Sequence, residues 1–336
     1  MANVIIGVHG LGNKPPARIL EKWWMLSMLE GLKINDFTTT IPKFELIYWA
    51  DIIHDTPLDK SEEDKSSKYY IDERYTTAPE YFQAEDHSKR KKLVDFLGRQ
   101  MNRIFLNDDL TLNYGFISDA ILKRHFSDLE IYYRDCCAMK NGQVRPFNEI
   151  IRERLLSRLE KHRNDNIMLI GHSMGSIVAY DVLAFLATDI RVNIFITMGS
   201  PLGLPLIISR IASEHRQIYG PVNRLSTPPS VSGAWYNYSD ILDMVAFNYK
   251  LSDFFSENAY GVKPVDILVV NDYVSEGNHN PHKSFGYLRT TEFSRLLHDF
   301  AEAEHLSLGQ KIVRKTENII LNVRYRREAR MESNKD

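Results

Sequence analysis

Ser173 stands between two glycines in Gly171-His172-Ser173-Met174-Gly175, directly after the apolar run Ile167–Ile170. A serine hydroxyl attacks a carbonyl only when a base takes its proton and donors hold the developing oxyanion. The G-x-S-x-G pattern between a strand and a helix suits that chemistry. A sharp, strained turn projects the hydroxyl, and the flanking glycines let neighbouring backbone pack close. Ile177, Val178, Ala179, Val182 and Leu183 predict the helix that must follow, reaching about Ala187. The competing reading is an ordinary strand-to-helix turn.

In chains of this kind the acid and then the histidine follow the serine. Five histidines do so: His215, His279, His282, His298 and His305. The last two fall on or beside a final helix, and His215 lies in a Pro- and Ser-containing stretch. His279 and His282 sit in the loop 276–284 after a late strand, where a base belongs. His282, leading into His282-Lys283-Ser284-Phe285-Gly286-Tyr287-Leu288, is the preferred base and His279 the alternative. The acid belongs after the strand expected at Ala234–Tyr238, which makes Asp243 the choice and Asp240, as a turn-capping residue, the alternative. Asp266 opens a strand and Asp272 adjoins the histidine loop, so neither is favoured. The oxyanion would be held by the N–H of Met174 and an N–H of the loop His9-Gly10-Leu11-Gly12, with Leu11 as the donor. His9 and His172 are expected to be structural.

The elements that must position these groups follow from apolar patterning. Strands are expected at Asn3–Val8, Phe44–Trp49, Ile167–Ile170, Val192–Met198, Ala234–Tyr238 and Asp266–Val270. Helices are expected at Ala17–Lys33 after Pro15-Pro16, at Phe147–Arg163, after Ser173, and at Leu288–Glu304. Nearly continuous apolar strands alternating with helices imply an α/β fold, a mostly parallel sheet with helices on both faces. Ligands then bind at the carboxyl ends of strands, where both glycine loops and Ser173 lie.

Composition narrows the class. A formal net charge of −2 gives no global pull toward nucleic acid or anionic membrane, so no nucleic-acid partner is expected. The two cysteines, Cys136 and Cys137, are adjacent and make neither a plausible disulfide nor a metal site. The N-terminus lacks the layout of a signal peptide, and no run approaches the ~20 apolar residues of a membrane span. A cytoplasmic location is expected.

Together HGLGN, GHSMG, the Trp235, Asn237, Asp240, Asp243 segment and PHKSFGYL resemble the α/β-hydrolase superfamily, in its lipase- and esterase-like branch. The resemblance covers roughly 1–50 and 147–300. It implies an acyl-enzyme mechanism on a small-molecule or lipid ester, with no cofactor and no metal. It also implies that the first strand here corresponds to the family's third, so the sheet lacks an N-terminal antiparallel edge. The core is thus expected at 1–51 and 147–306. A helical insertion and candidate lid occupies 52–146, a second insertion 203–233, and a tail 307–336, in which Arg324–Arg330 reads as a solvated helix end.

Within 52–146 no strand is expected. Its aromatic residues Tyr69, Tyr70, Tyr75, Tyr81 and Phe82 either line an acyl pocket or pack among themselves. Lys89-Arg90-Lys91-Lys92 leads into Leu93, Val94, Phe96, Leu97, Met101, Ile104 and Phe105, a pattern that fits peripheral membrane contact through 89–105 or a core-facing helix with a solvated start. The leading function is a serine hydrolase of carboxylic esters. A thioesterase or peptidase with the same triad is the alternative, as is a non-catalytic binding module on the same fold.

Overall fold

The computed structural model describes residues 1–80, 82, 87–112, 131–133, 137–140 and 143–303, with the backbone alone at 137–140, 143 and 144. Tyr81, Cys136, His305 and the tail 307–336 lie outside the described residues.

Six apolar segments form the central sheet: β1 Asn3–Val8, β2 Lys43–Ile47, β3 Asn166–His172, β4 Val192–Met198, β5 Val231–Ser239 and β6 Pro264–Leu268. Their order is β6-β5-β4-β3-β1-β2, and every neighbouring pair is parallel. No antiparallel strand joins this sheet among the described residues. The registers Val8↔Gly171, His172↔Met198, Met198↔Tyr238 and Leu268↔Ser239 align the carboxyl ends. From β1 the chain runs outward to β2, then returns to β3 on the other side. The crevice between the ends of β1 and β3 is therefore the topological switch point, where such sheets bind ligands.

Parallel strands are buried on both faces, so alternate residues feed two cores. Val4, Ile6, Val8, Ile167 and Leu169 face one. It is closed by Ile151, Leu155 and Leu159 of α3 (Phe147–Lys161), Ile177 and Val178 of α4 (Met174–Asp181), and Ile207, Ile208 and Ile211 of α5 (Pro205–Tyr219). Ile5, Met168, Ile170 and Ile196 face the other. There α1 (Ala17–Ile34) brings Trp23, Trp24 and Met28, and α6 (Thr291–Glu302) brings Phe293, Leu297 and Phe300. Each fully buried Leu, Ile or Met in these layers contributes about 1.5–3 kcal/mol relative to exposure. The helices thus cover both faces, and the sheet ends are fixed to them.

Three stretches depart from the patterning. Residues Cys137–Lys140 and Gln143–Pro146 pair antiparallel where no strand was expected. Within 203–233, α5 is the crossover between β4 and β5, with Pro205 at its first turn and Gly220 at its C-cap. The expected last helix starts later, at Thr291. Thr290 Oγ1 caps it by accepting from Phe293 N at 3.3 Å, and a short turn at Ser284–Tyr287 precedes it. From 52–146, the structure describes α2 (Ser88–Phe105) and a largely irregular stretch from 54 to 80.

Candidate active site

Ser173 forms the turn between β3 and α4 with φ +53° and ψ −129°. A non-glycine residue there stores about 1–3 kcal/mol of strain and persists only when its surroundings over-determine it. They do. Ser173 N donates to the Met198 carbonyl at 3.0 Å, and the Ser173 carbonyl accepts from Ser176 N at 2.9 Å and Ser176 Oγ at 2.6 Å. The glycines allow the approach. A Cβ on Gly175 would collide with the Val8 carbonyl oxygen, and one on Gly171 would stand 2.6 Å from Ser176 Cα. A Cβ on Gly10 would stand 2.7 Å from Ser173 Cβ, so the loop after β1 lies directly against the serine.

Leu11 in that loop lines the same cavity as Ser173, and its carbonyl accepts from Lys14 Nζ. Met174 buries its side chain in the core and opens α4, where backbone N–H groups have no helical acceptor and the helix dipole favours negative charge.

Asp243 follows β5 and is buried at 3% exposure. Its Oδ1 accepts from Val245 N at 2.9 Å and Ala246 N at 3.3 Å; its Oδ2 accepts from Tyr287 OH at 2.8 Å. Both oxygens meet His282 Nδ1, at 3.0 and 2.9 Å. A carboxylate so placed makes Nδ1 the protonated nitrogen and leaves the Nε2 lone pair as the basic atom. His282 itself is fixed by its backbone. Its N–H donates to Asn280 Oδ1 at 2.9 Å, and its carbonyl accepts from His172 Nε2 at 2.6 Å. His282 and Ser173 both line one cavity of about 560 Å³.

The alternatives fall elsewhere. Asp240 Oδ1 accepts from Leu242 N and Oδ2 from Asn271 N, both at 2.7 Å, which ties two loops together; burial raises its carboxyl above the ordinary value. His279 is exposed, donates Nε2–H to the Asn271 carbonyl at 2.7 Å and packs on Phe82. Asp266 accepts from Asn237 Nδ2 and from the N–H groups of Leu251 and Ser252, and burial pushes it up to about 6. Asp272 pairs with Arg289 at 2.8 Å.

Two more histidines shape the site. His9 Nδ1–H donates to the Gly10 carbonyl at 2.8 Å, while Nε2 accepts from Trp49 N at 2.9 Å. Burial, reinforced by Lys14, lowers its pKa, so the ring is neutral and holds the loop after β1 onto the loop after β2. His172 is likewise buried and neutral, its pKa lowered by burial and then by the neighbouring His282.

The cavity has two kinds of wall. Leu20, Trp23, Trp24, Ile71 and Phe285 form an apolar side, and Lys14, Lys68, Asp72, Glu73 and Lys283 a charged one. Thus 58–73, within the expected insertion, supplies part of the wall. Of the aromatic residues there, Tyr70 lines the cavity, whereas Tyr75 packs edge-on against Phe285 and donates its OH to Glu30. Among the described residues, no group of three His, Cys, Asp or Glu side chains is placed to hold a metal ion, and no helix is long and apolar enough to cross a membrane.

A six-stranded parallel sheet with helices on both faces carries a strained serine between strand and helix at the switch point. The fold is that of an α/β hydrolase. Residues 130–260 match the PGAP1-like alpha/beta domain family, a span that holds Ser173 and Asp243 and stops short of His282. A solved structure described as RedJ with a PEG molecule bound in the active site is similar over 46% of this chain and 68% of that one, at 18% identity and a TM-score of 0.25. No curated protein matches.

Two further residues shape the corner around Asp243. Tyr287 is fully buried; its OH accepts from Asp240 N at 2.9 Å while donating to Asp243. Gly199 (φ +54°) passes under the Asp243–His282 contact, where a Cβ would stand 2.7 Å from Asp243 Oδ2 and 3.0 Å from His282 Nδ1. Glycine after β4 was a visible signal for Gly199. Nothing local marks Tyr287.

Proposed function

We propose that this chain is a serine hydrolase that cleaves carboxylic esters with an apolar acyl group. The observation that carries the reading is the His282 Nδ1 contact with buried Asp243 beside a strained Ser173 in one shared cavity. Ser173 Oγ attacks the ester carbonyl carbon as His282 Nε2 takes its proton. The carbonyl oxygen becomes the oxyanion and is held by the N–H groups of Leu11 and Met174. Collapse expels the alcohol, which takes the proton from His282, and leaves the acyl group on Ser173. Water, deprotonated by His282, then attacks the acyl carbon and returns Ser173 and the free acid. Asp243 stays ionised throughout and stabilises the imidazolium. Trp23, Trp24 and Phe285 offer the acyl chain an apolar surface.

A nitrophenyl ester series of rising chain length tests this. The expected result is turnover that depends on chain length and falls about 10³-fold or more in Ser173→Ala. Preference for thioesters or peptides over esters of every length would replace the ester reading, and unchanged turnover in Ser173→Ala would end it.

A further inference from the structure

One face of helix α2 is fixed to the loop that follows β5. Arg90 Nε donates to the Ile241 carbonyl at 3.1 Å, and Asp95 accepts from Tyr249 OH at 2.7 Å and Lys250 Nζ at 3.1 Å. Asn248 Nδ2 donates to Asn102 Oδ1 at 2.9 Å, and Gly98 sits so close that a Cβ would stand 3.1 Å from Asn248 Oδ1. These contacts fix α2 on the loop that begins with Asp240 and Asp243, and they fix its rotation. Val94 and Gly98 are buried.

The opposite arc is left with Leu93, Phe96 and Leu97 at 55%, 51% and 41% exposure. With about 100° between successive residues, these three share the exposed arc with Lys92, Arg99 and Arg103 toward its other side and with Lys89 between Phe96 and Leu93, all four exposed. Met244 is 66% exposed, its sulfur 3.4 Å from Arg90 Nη2. It stands between Asp243 and Val245, a residue of the cavity wall.

We propose that this outer face of α2 docks on an anionic membrane surface. An amphipathic helix with large apolar residues beside basic ones lies in the bilayer interface, its apolar side among the acyl chains and its cations at anionic headgroups. Charge argues against a second copy of this chain as the occupant, since a self-complementary contact would set four cations against four. The whole chain carries a formal charge of −2, so the attraction comes from this local cluster. Docking by this face places α2 between the bilayer and the loop of Asp243. The inference concerns a surface and does not depend on the ester chemistry.

The test is flotation of the full chain, wild type and Ser173→Ala, with vesicles of phosphatidylcholine alone or with about one-third phosphatidylserine. Wild type is expected to bind the phosphatidylserine vesicles at least about tenfold more tightly, and Ser173→Ala to match it. Reversing charge in K89E/K92E/R103E lowers that binding about 100-fold. L93S/F96S/L97S, changed only at exposed positions, abolishes it while keeping its circular dichroism and melting temperature. Equal binding to both vesicle types, no binding to either, or charge-reversed protein that floats like wild type would overturn the proposal. So would a wild-type dimer on size exclusion that L93S/F96S/L97S converts to monomer.

Discussion

The corner around Asp243 and the outer face of α2 are built on the same loop and treat their side chains in opposite ways. In the corner, polar groups are buried and satisfied: Asp243 accepts from two backbone N–H groups, Tyr287 and His282, and the His282 backbone is held by Asn280 and His172. On the outer face, large apolar groups meet water. Buried polar atoms cost little only when paired, and each pairing removes a direction in which a side chain could move. The corner is therefore held in one arrangement. On the outer face the exposed apolar groups gain nothing from burial, so its composition points outward.

The contrast breaks first at Gly199. Gly199→Ala adds a methyl under the Asp243–His282 contact at a φ of +54°. It is expected to lower stability by about 2–3 kcal/mol and turnover by about 100-fold or more, read by denaturant unfolding and ester assay. A smaller effect is expected from Tyr287→Phe. It removes the donor to Asp243 and strands the Asp240 N–H, costing about 1–2 kcal/mol and a few-fold to tenfold in kcat with KM nearly unchanged.

The smallest effect lies far from both regions, at Glu45 on β2, and sharpens the rule by its pH dependence. Burial pushes this carboxyl up, but Lys43, Arg158, His162 and Lys161 together hold it down, at about 2. Its folded value is depressed below the ordinary 4.5, so its contribution is present above about 4.5 and is lost as pH falls toward 2. Glu45→Gln should therefore cost about 1–2 kcal/mol at pH 7, discounted for the solvent-facing lysines, and converge with wild type near pH 2 in denaturant titrations.

Ser173, Asp243 and His282 stand out in the sequence because each belongs to a local pattern: a glycine bracket after a strand, an acid after a strand, a histidine before a helix. The six strands are legible for the same reason, being short apolar runs. What is not legible depends on partners distant in the chain. Tyr287 meets an acid 44 residues earlier, and His172 holds a carbonyl 110 residues later. The paired strands 137–140 and 143–146 are four residues each and of mixed character, without an apolar run to mark them. Helix α5 carries the ordinary marks, Pro205 at its start and Gly220 at its end, yet its Pro-rich flanks read as an insertion. The apolar stripe of α2 is visible in the sequence, but not which side of it faces water. That is set by Gly98 and Asp95 against the 248–250 segment.

Activation of Ser173 as a nucleophile is read by fluorophosphonate labelling with mass mapping of the modified residue. The account predicts a single adduct on Ser173, abolished in Ser173→Ala and slowed by about 10²-fold or more in Asp243→Asn. Labelling that persists at another residue in Ser173→Ala, or an adduct on Ser173 formed at the same rate in Asp243→Asn, would contradict it.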